Sequence, residues 1–355
     1  MANDSGTSKK RKRRIIIFAI LAILIIGFAI WYYYKYIYVV ESVNTPIILE
    51  IEDGTTSSES TSDDEYEDAS EDMSETISEA EGVMHVHMID CGQADSFLFE
   101  QKGKYALIDC GTRGTGKDVV TYMQNQGVKK LEFVVGTHPH DDHMGGMYTV
   151  LSSIPCKKVY IPKVEDGLIT TNWYMQLMQK ISDDKIKVVN PKVNDKFRLG
   201  DATFKVVGQL SPDEAGTNLN NYSTVIKVSF GTMDILMTGD AETEVESKIL
   251  ESNSNDIQCE ILKLGHHGSN TSTSDIFLEA VDPDYGLISC EVGNKYLHPS
   301  TETVVKLKKH KVKLYRTDET GSVVLTISND NVEFDKKKGS YKDGETIAKS
   351  QKGGS

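Results

Sequence analysis

Short apolar runs separated by polar turns organise the chain from Met84 onward. His85-Val86-His87-Met88-Ile89 reads as a strand, followed by Ser96–Glu100 and Tyr105–Ile108. Lys117–Gln126 has helical texture, and Leu131–Val135 is a short apolar strand that stops at a run of histidines. The Gly145-Gly146 pair then gives way to a helix through Leu151. Further strands are predicted at Val159–Ile161, Ile186–Val189, Phe204–Val207, Thr224–Phe230 and Met233–Met237, then a helix over Glu242–Glu251. Strand, helix and strand follow at Ile257–Leu264, Ser274–Val281 and Tyr285–Cys290, with a helix near Thr301–Lys309. Lys313–Tyr315 and Ser322–Ile327 finish the pattern. Strands and helices mixed in this order predict an α/β fold, a sheet-based sandwich with helices outside. No internal repeat is visible, and residues 336–355 read as a disordered tail.

One apolar run is of another kind. Lys9-Lys10-Arg11-Lys12-Arg13-Arg14 precedes an uncharged stretch from Ile15 to Tyr34, close to the roughly 20 residues that a helix needs to cross a bilayer. Trp31, Tyr32, Tyr33 and Tyr34 close it with rings that favour the membrane interface. A cleaved signal peptide would want a shorter apolar core and small residues at its end. An uncleaved transmembrane anchor over residues 15–38 is therefore the expectation. The basic segment 1–14 then stays cytoplasmic, which gives a single-pass cell-membrane protein whose globular part is extracytoplasmic.

The net charge of −14 is unevenly spread. Fourteen acidic residues and no Lys or Arg lie between Glu50 and Glu81, whereas residues 1–49 carry seven basic and two acidic ones. Residues 82–355 are left at −5; six lysines against Asp343 and Glu345 beyond residue 335 put the candidate domain, 83–335, near −9. The acidic, Ser/Thr-rich residues 39–82 have too few apolar side chains to offset the entropy of folding. They read as an extended spacer, with calcium or cell-wall binding as the alternative. Five cysteines without C-x-x-C spacing suggest small buried hydrophobes rather than a zinc knuckle or redox pair.

The chemistry concentrates in Thr137-His138-Pro139-His140-Asp141-Asp142-His143, where four metal-binding side chains fall within six positions. Neutral imidazole and carboxylate are the ligands that Zn²⁺ and similar ions take. A loop this short can present two pairs of ligands to two adjacent metal sites. Three later segments can complete them: Thr238-Gly239-Asp240, Leu264-Gly265-His266-His267-Gly268-Ser269 and Asn294-Lys295-Tyr296-Leu297-His298-Pro299. Alone, these read as a strand-end turn, a surface histidine pair and a loop histidine. Their joint occurrence near strand exits, downstream of His-x-His-x-Asp-His, turns them into a constellation.

These segments resemble the metallo-β-lactamase superfamily, and within it the extracytoplasmic hydrolase domain of the ComEC competence proteins. His87 to Asp95, Leu107 to Gly111, the histidine loop, Asn220 to Ser223, Thr238 to Asp240, His266 to Ser269 and Asn294 to Pro299 carry the resemblance across most of residues 84–327. It implies a metallo-β-lactamase-like αββα sandwich with its metals at one edge of two packed sheets. It also implies that His138 and His140 bind one metal, Asp142 and His143 the other, and that Asp240 bridges them. One of His266 and His267 would complete the second site and the other lie near the scissile group. Sequence does not decide which; His267 is carried forward as ligand and His266 as catalytic. Asp109 would stand behind the ligands and fix the histidine loop. The chain departs from the superfamily in having no histidine between His143 and His266, where Asn220 and Ser223 stand instead. The first metal site is thus expected to be open and weaker. Cys91 and Ala94 also depart from the subgroup's usual aliphatic residue and glycine. The subgroup's many-helix transport channel has no counterpart in this sequence, so DNA import is not expected of it alone.

Two divalent ions, zinc by default and manganese as the alternative, would hold a bridging hydroxide that is nucleophilic at neutral pH. The expected reaction is in-line attack on a phosphodiester or phosphomonoester, with Asp142, His298 and His266 in catalytic roles. Ser269, Asn220, Ser223 and Asn294 would bind substrate. Resemblance favours DNA, yet a domain near −9 is not the usual footprint of a DNA binder; the Lys306 to Lys313 run could supply a local groove or be a solvated face. A phosphorylcholine esterase acting on cell-wall polymers and a small-molecule ester or lactone hydrolase remain as alternatives. A metal-dead binding module is the non-enzymatic one, and a surface protein whose acidic stalk carries the function is a further reading. The sequence does not specify the oligomeric state.

Overall fold

Strand-forming patterns between Met84 and Phe334 produce two facing sheets in the computed structural model, which describes residues 82–253 and 256–352. The predicted anchor and almost all of the acidic spacer lie outside the described residues. Among those described, no helix is long and apolar enough to cross a membrane.

The strands are β1 Met84–Met88, β2 Phe97–Gln101, β3 Lys104–Ile108, β4 Phe133–Val135, β5 Lys158–Tyr160, β6 Lys187–Val189, β7 Lys196–Leu199, β8 Ala202–Gly208, β9 Val225–Phe230, β10 Met233–Met237, β11 Ile261–Lys263, β12 Tyr285–Ile288, β13 Lys313–Arg316, β14 Val323–Ser328 and β15 Asn331–Phe334. One sheet has the order β15-β14-β1-β2-β3-β4-β5-β6, the other β13-β12-β11-β10-β9-β8-β7. Each is antiparallel in one half and parallel in the other: β3 to β6 run parallel, as do β10 to β13.

The two-residue period of a strand explains the layering. Met84, Val86 and Met88 of β1, Phe97 and Phe99 of β2, and Ile226, Val228 and Phe230 of β9 point between the sheets. Phe99, Phe133 and Phe204 meet edge to face there, with ring centroids 5.2 Å apart in the Phe99–Phe204 and Phe133–Phe204 pairs, an arrangement suited to the ring quadrupole. The alternate residues, such as Leu98, Leu107 and Val134, face helices α1 Gly116–Asn125, α2 Asp141–Met144, α3 Met147–Ser153 and α4 Asn172–Asp183. On the far side, Leu236, Leu262 and Leu314 face α5 Thr243–Asn253, α6 Asp275–Val281 and α7 Thr301–Lys309. The layers are therefore α, β, β, α, as the resemblance implied.

Three differences from expectation have local causes. Helix α4 lies in a polar stretch, but Trp173, Leu177 and Ile181 at four-residue spacing pack it on the core. The strand expected over Ile257–Leu264 contracts to Ile261–Lys263, although Ile257 and Cys259 remain buried. The disordered tail is a correction. Buried Arg316 donates to the carbonyls of Ser340 (3.1 Å) and Lys342, and Tyr341 Oη donates to the Val312 carbonyl at 2.7 Å. A helix α8, Gly344–Lys352, then follows. Main-chain carbonyls captured by a buried guanidinium leave no trace in the tail's own composition. All five cysteines are free.

Candidate metal centre

Carboxyl ends of parallel strands are where open α/β sheets collect ligands, and the constellation assembles there. β3 ends at Asp109, β4 leads to Thr137 and His138, β10 to Asp240, β11 to His266 and His267, and β12 to Ser289. The two sheets thus contribute opposite walls. Gly239, at φ +54°, lets the β10 loop pass against Thr137; a Cβ there would lie 2.8 Å from the threonine Oγ1.

Asp142, His143, Asp240 and His267 each offer one ligand atom within 4.8 Å of the other three. Asp240 is central. Its Oδ1 lies 3.2 Å from His143 Nε2, and its Oδ2 lies 3.6 Å from both His266 Nε2 and His267 Nε2 and 4.0 Å from His138 Nε2. His267 Nε2 is also 3.5 Å from Asp142 Oδ2. Asp240 Oδ1, His143 Nε2 and His267 Nε2 are buried, and among the described residues none of them makes a well-aligned hydrogen bond, although Oδ1 and His143 Nε2 are close. Buried polar atoms are rarely left so, and their proximity within one His/Asp cluster is what a cation site needs. The residues present fit a divalent metal.

Behind these atoms the imidazoles are held by their other nitrogen. His143 Nδ1 donates to Asp109 Oδ2 at 2.7 Å. Asp109 in turn accepts the Thr137 amide and hydroxyl, each at 2.8 Å, which ties it to the start of the histidine loop. His267 Nδ1 donates to the Ser289 carbonyl at 2.9 Å. Both tautomers are thereby set with Nε2 facing the cation position. Burial opposes charge on His143 and His267, yet Asp240 with Asp109 raises the first, and Asp240 with Asp95 raises the second to about 10. The same negative field favours a divalent cation.

His138 and His140 form a separate pair, with Nε2 and Nδ1 3.1 Å apart. Burial holds both imidazoles in the neutral form that binds metals. Asn220 stands against the His140 imidazole as a hydrogen-bonding neighbour, and its Nδ2 donates to Glu242 Oε1 at 3.0 Å.

The choice between His266 and His267, open in the sequence, has a geometric answer. His267 is buried, its Nδ1 is committed, and its Nε2 joins the ligand cluster. His266 is partly exposed, and its Nδ1 lies 3.1 Å from Thr271 Oγ1 and 3.3 Å from Glu242 Oε1. Both histidines sit at left-handed φ, 50° and 54°, a conformation costing about 1–3 kcal/mol each that tends to cluster at functional sites.

His298 lies beside them, its ring 5.5 Å from that of His266. Gln93 Oε1 accepts the Glu291 amide, so its Nε2 is left to donate to His298 Nδ1 at 3.4 Å. That places the histidine's proton on Nε2. Burial, with His267 and His266 nearby, holds His298 down at about 4, so at neutral pH it donates a hydrogen bond as a neutral imidazole rather than as an acid.

Three residues expected to bind substrate have their side chains engaged within the protein. Ser223 is fully buried and its Oγ accepts the Asp240 amide at 3.1 Å, so it holds the backbone of Asp240 in place. Asn294 spends its side chain on the His298 amide and carbonyl and the Glu291 carbonyl, bracing the His298 loop. Ser269 Oγ is turned to the amide and hydroxyl of Thr271. Sequence reasoning placed Gln93 and Asp95 in a segment of the resemblance without giving either a role, and it missed Glu242 and Lys263. Lys263 did leave a signal, as a charge inside the apolar run Ile261-Leu262-Lys263-Leu264.

A profile of the metallo-beta-lactamase superfamily matches residues 89–291. ComE operon protein 3 of Bacillus subtilis is 28% identical over 262 residues, which cover 69% of this chain and 33% of that protein. Competence protein ComA of Neisseria gonorrhoeae is 28% identical over 247 residues, covering 68% of this chain and 32% of its own. The chain thus spans about a third of the length of these curated relatives. Among solved structures, the metallo-beta-lactamase fold protein YhfI of Bacillus subtilis superposes with a TM-score of 0.45 at 14% identity, over 69% of this chain and 99% of that one.

Proposed function

The chain belongs to the metallo-beta-lactamase superfamily of metal-dependent hydrolases, and on that premise we propose that it cleaves phosphodiesters, as a ComEC-like nuclease or phosphodiesterase. The observation carrying the proposal is the proximity of buried Asp240, His143 and His267 ligand atoms within one cluster. Asp142, His143, His267 and Asp240 would hold one metal, and His138, His140 and Asp240 the other, with zinc or manganese suited to these donors. When bound, the metals supply Lewis acidity and a nucleophile at neutral pH. The chain's own residues do the rest. Asp240 keeps the two sites together, and neutral His298, fixed by Gln93, directs an N–H donor at the leaving oxygen. His266, braced by Glu242 and Thr271, stands ready to accept or return a proton, and Asn220 lies at the open first site.

The rim favours nucleic acid over phosphorylcholine. Tyr296 is 56% exposed and stacks near His298, with ring centroids 5.5 Å apart. Lys295 Nζ lies 4.7 Å from the Tyr296 ring centroid. A cationic choline would meet a ring already served by a cation, whereas a nucleotide brings a base for the tyrosine and a phosphate for the lysine. We place residues 83–335 outside the cell membrane, anchored by residues 15–38.

The full chain in detergent, assayed on bis-p-nitrophenyl phosphate, p-nitrophenyl phosphorylcholine and single-stranded DNA, tests this. Chelator-sensitive cleavage of the first and third, lost in Asp142→Ala, is expected. Preference for phosphorylcholine would transfer the proposal to a wall esterase, and release from membranes by alkaline carbonate would remove the anchor.

A further inference from the structure

Asp95 belongs to none of the ligand sets above, yet it touches four of the segments that build the centre. Its amide donates to the Asp142 carbonyl at 3.0 Å, and its carbonyl accepts the Gly111 amide at 2.9 Å. Oδ1 accepts the Ser289 hydroxyl and lies 3.3 Å from His267 Nδ1. Oδ2 is 2.7 Å from Lys263 Nζ and 3.9 Å from His143 Nδ1. Both Asp95 and Lys263 are buried, the lysine completely, and Lys263 Nζ also donates to the Leu264 carbonyl at 2.8 Å.

A buried ion pair is rarely retained for stability alone, because desolvation consumes much of its attraction. Here the pair solves a charge problem. Asp95, Asp109, Asp142 and Asp240 crowd two overlapping clusters around His143 and His267. An uncompensated fourth carboxylate would repel the others. Lys263 cancels its net charge but leaves Oδ1 3.3 Å from His267 Nδ1, beside the Ser289 carbonyl that takes the N–H, where a nearby anionic oxygen makes the opposite nitrogen a better ligand. Asp109 does this for His143 without a counter-cation.

We propose that Asp95, neutralised by Lys263, is a positioning residue of the second metal site, acting with the Ser289 carbonyl to orient His267 and setting the affinity of that site. The inference rests on the reading of this constellation as a metal centre. Lys263 joins the strand before the His266-His267 turn to the β1–β2 loop, so the pair also fixes that turn relative to Asp142.

Zn²⁺ titrations of the full chain in detergent against a chromophoric chelator, Co²⁺ absorption spectra and unfolding of the metal-stripped chain provide the test. Asp95→Asn with Lys263→Gln exchanges the ion pair for a neutral one that keeps its hydrogen bonds. This double variant should lose about 10–100-fold in affinity at the second site, alter the Co²⁺ spectrum, and unfold as wild type does when metal-free. Lys263→Met alone should do the converse, weakening the metal-free fold without lowering second-site affinity. A purely structural role predicts that affinity follows stability in both variants, which would overturn the proposal. So would wild-type Zn²⁺ affinity in the double variant. A wild-type chain that takes up neither Zn²⁺ nor Co²⁺ would sink the metal-centre reading and this proposal with it.

Discussion

His143 is backed by Asp109 at 2.7 Å, and His267 by the Ser289 carbonyl and Asp95; His138 Nδ1 meets only a threonine hydroxyl at 3.2 Å, and His140 has Asn220 beside it. The two halves of the centre share the same ligand chemistry and differ in what stands behind it. In the second half carboxylates outweigh burial and impose a strong negative field. In the first half burial wins and leaves two neutral imidazoles. The second half thus has its imidazoles braced by carboxylates, while on the proposed two-metal reading the first half would have fewer protein ligands. Affinity should divide accordingly, with one tight and one exchangeable metal.

The sharpest way to break this contrast is to remove what the halves share. Asp240→Asn should cost both metals and lower turnover by about three orders of magnitude, since metal stabilisation of the transition state amounts to several kcal/mol. Metal analysis of the purified variant beside a phosphodiesterase assay would expose the error if two equivalents remained. Asp109→Asn should strike one half only, weakening the second metal by about 10–100-fold. Equal weakening of both, read by competitive titration, would mean that the halves are not independent. Asn220→His should sharpen the contrast from the other side, tightening the first metal by about tenfold. An unchanged first-site affinity would show that position 220 does not face the metal.

A control lies outside both halves. His87 on β1 meets Tyr122 Oη at 3.0 Å, and burial lowers it to about 4. The unfolded chain, titrating near its ordinary value of about 6.5, takes up the proton first. Stability is therefore complete above that pH and is lost as pH falls toward 4, by up to about 1.4 kcal/mol per unit. His87→Gln should flatten this acid limb in urea melts and leave both metal affinities alone; an unchanged limb would mean another group controls it.

Comparing regions also explains what was legible beforehand. The strands of the sandwich carry their burial in their own side chains, so β1, β9, β10 and β12 are readable where they stand. Helix α4 and strands β7 and β15 are not, because polar or edge positions dilute the period. Ligands were legible for a similar reason: His138, His140, Asp142 and His143 fall on one loop, and their chemistry is local. The residues that hold the ligands come from elsewhere. Asp95 and Lys263 are 168 positions apart in sequence yet 2.7 Å apart in space, and Ser223, Asn294 and Ser269 face inward for reasons that lie in their partners.

By itself, then, the sequence determined the layered α/β class, the metal-binding residue types and the likeness to a family of hydrolases. Those depend on side-chain chemistry and on periods of two to four residues. Only the tertiary structure decided that His267 rather than His266 joins the ligand cluster, that the tail is tied down by Arg316, and that the two half-sites differ in electrostatic support. Each of these turns on which buried nitrogen or oxygen already has a partner. That is fixed when distant strand ends meet, so no local pattern in the chain encodes it.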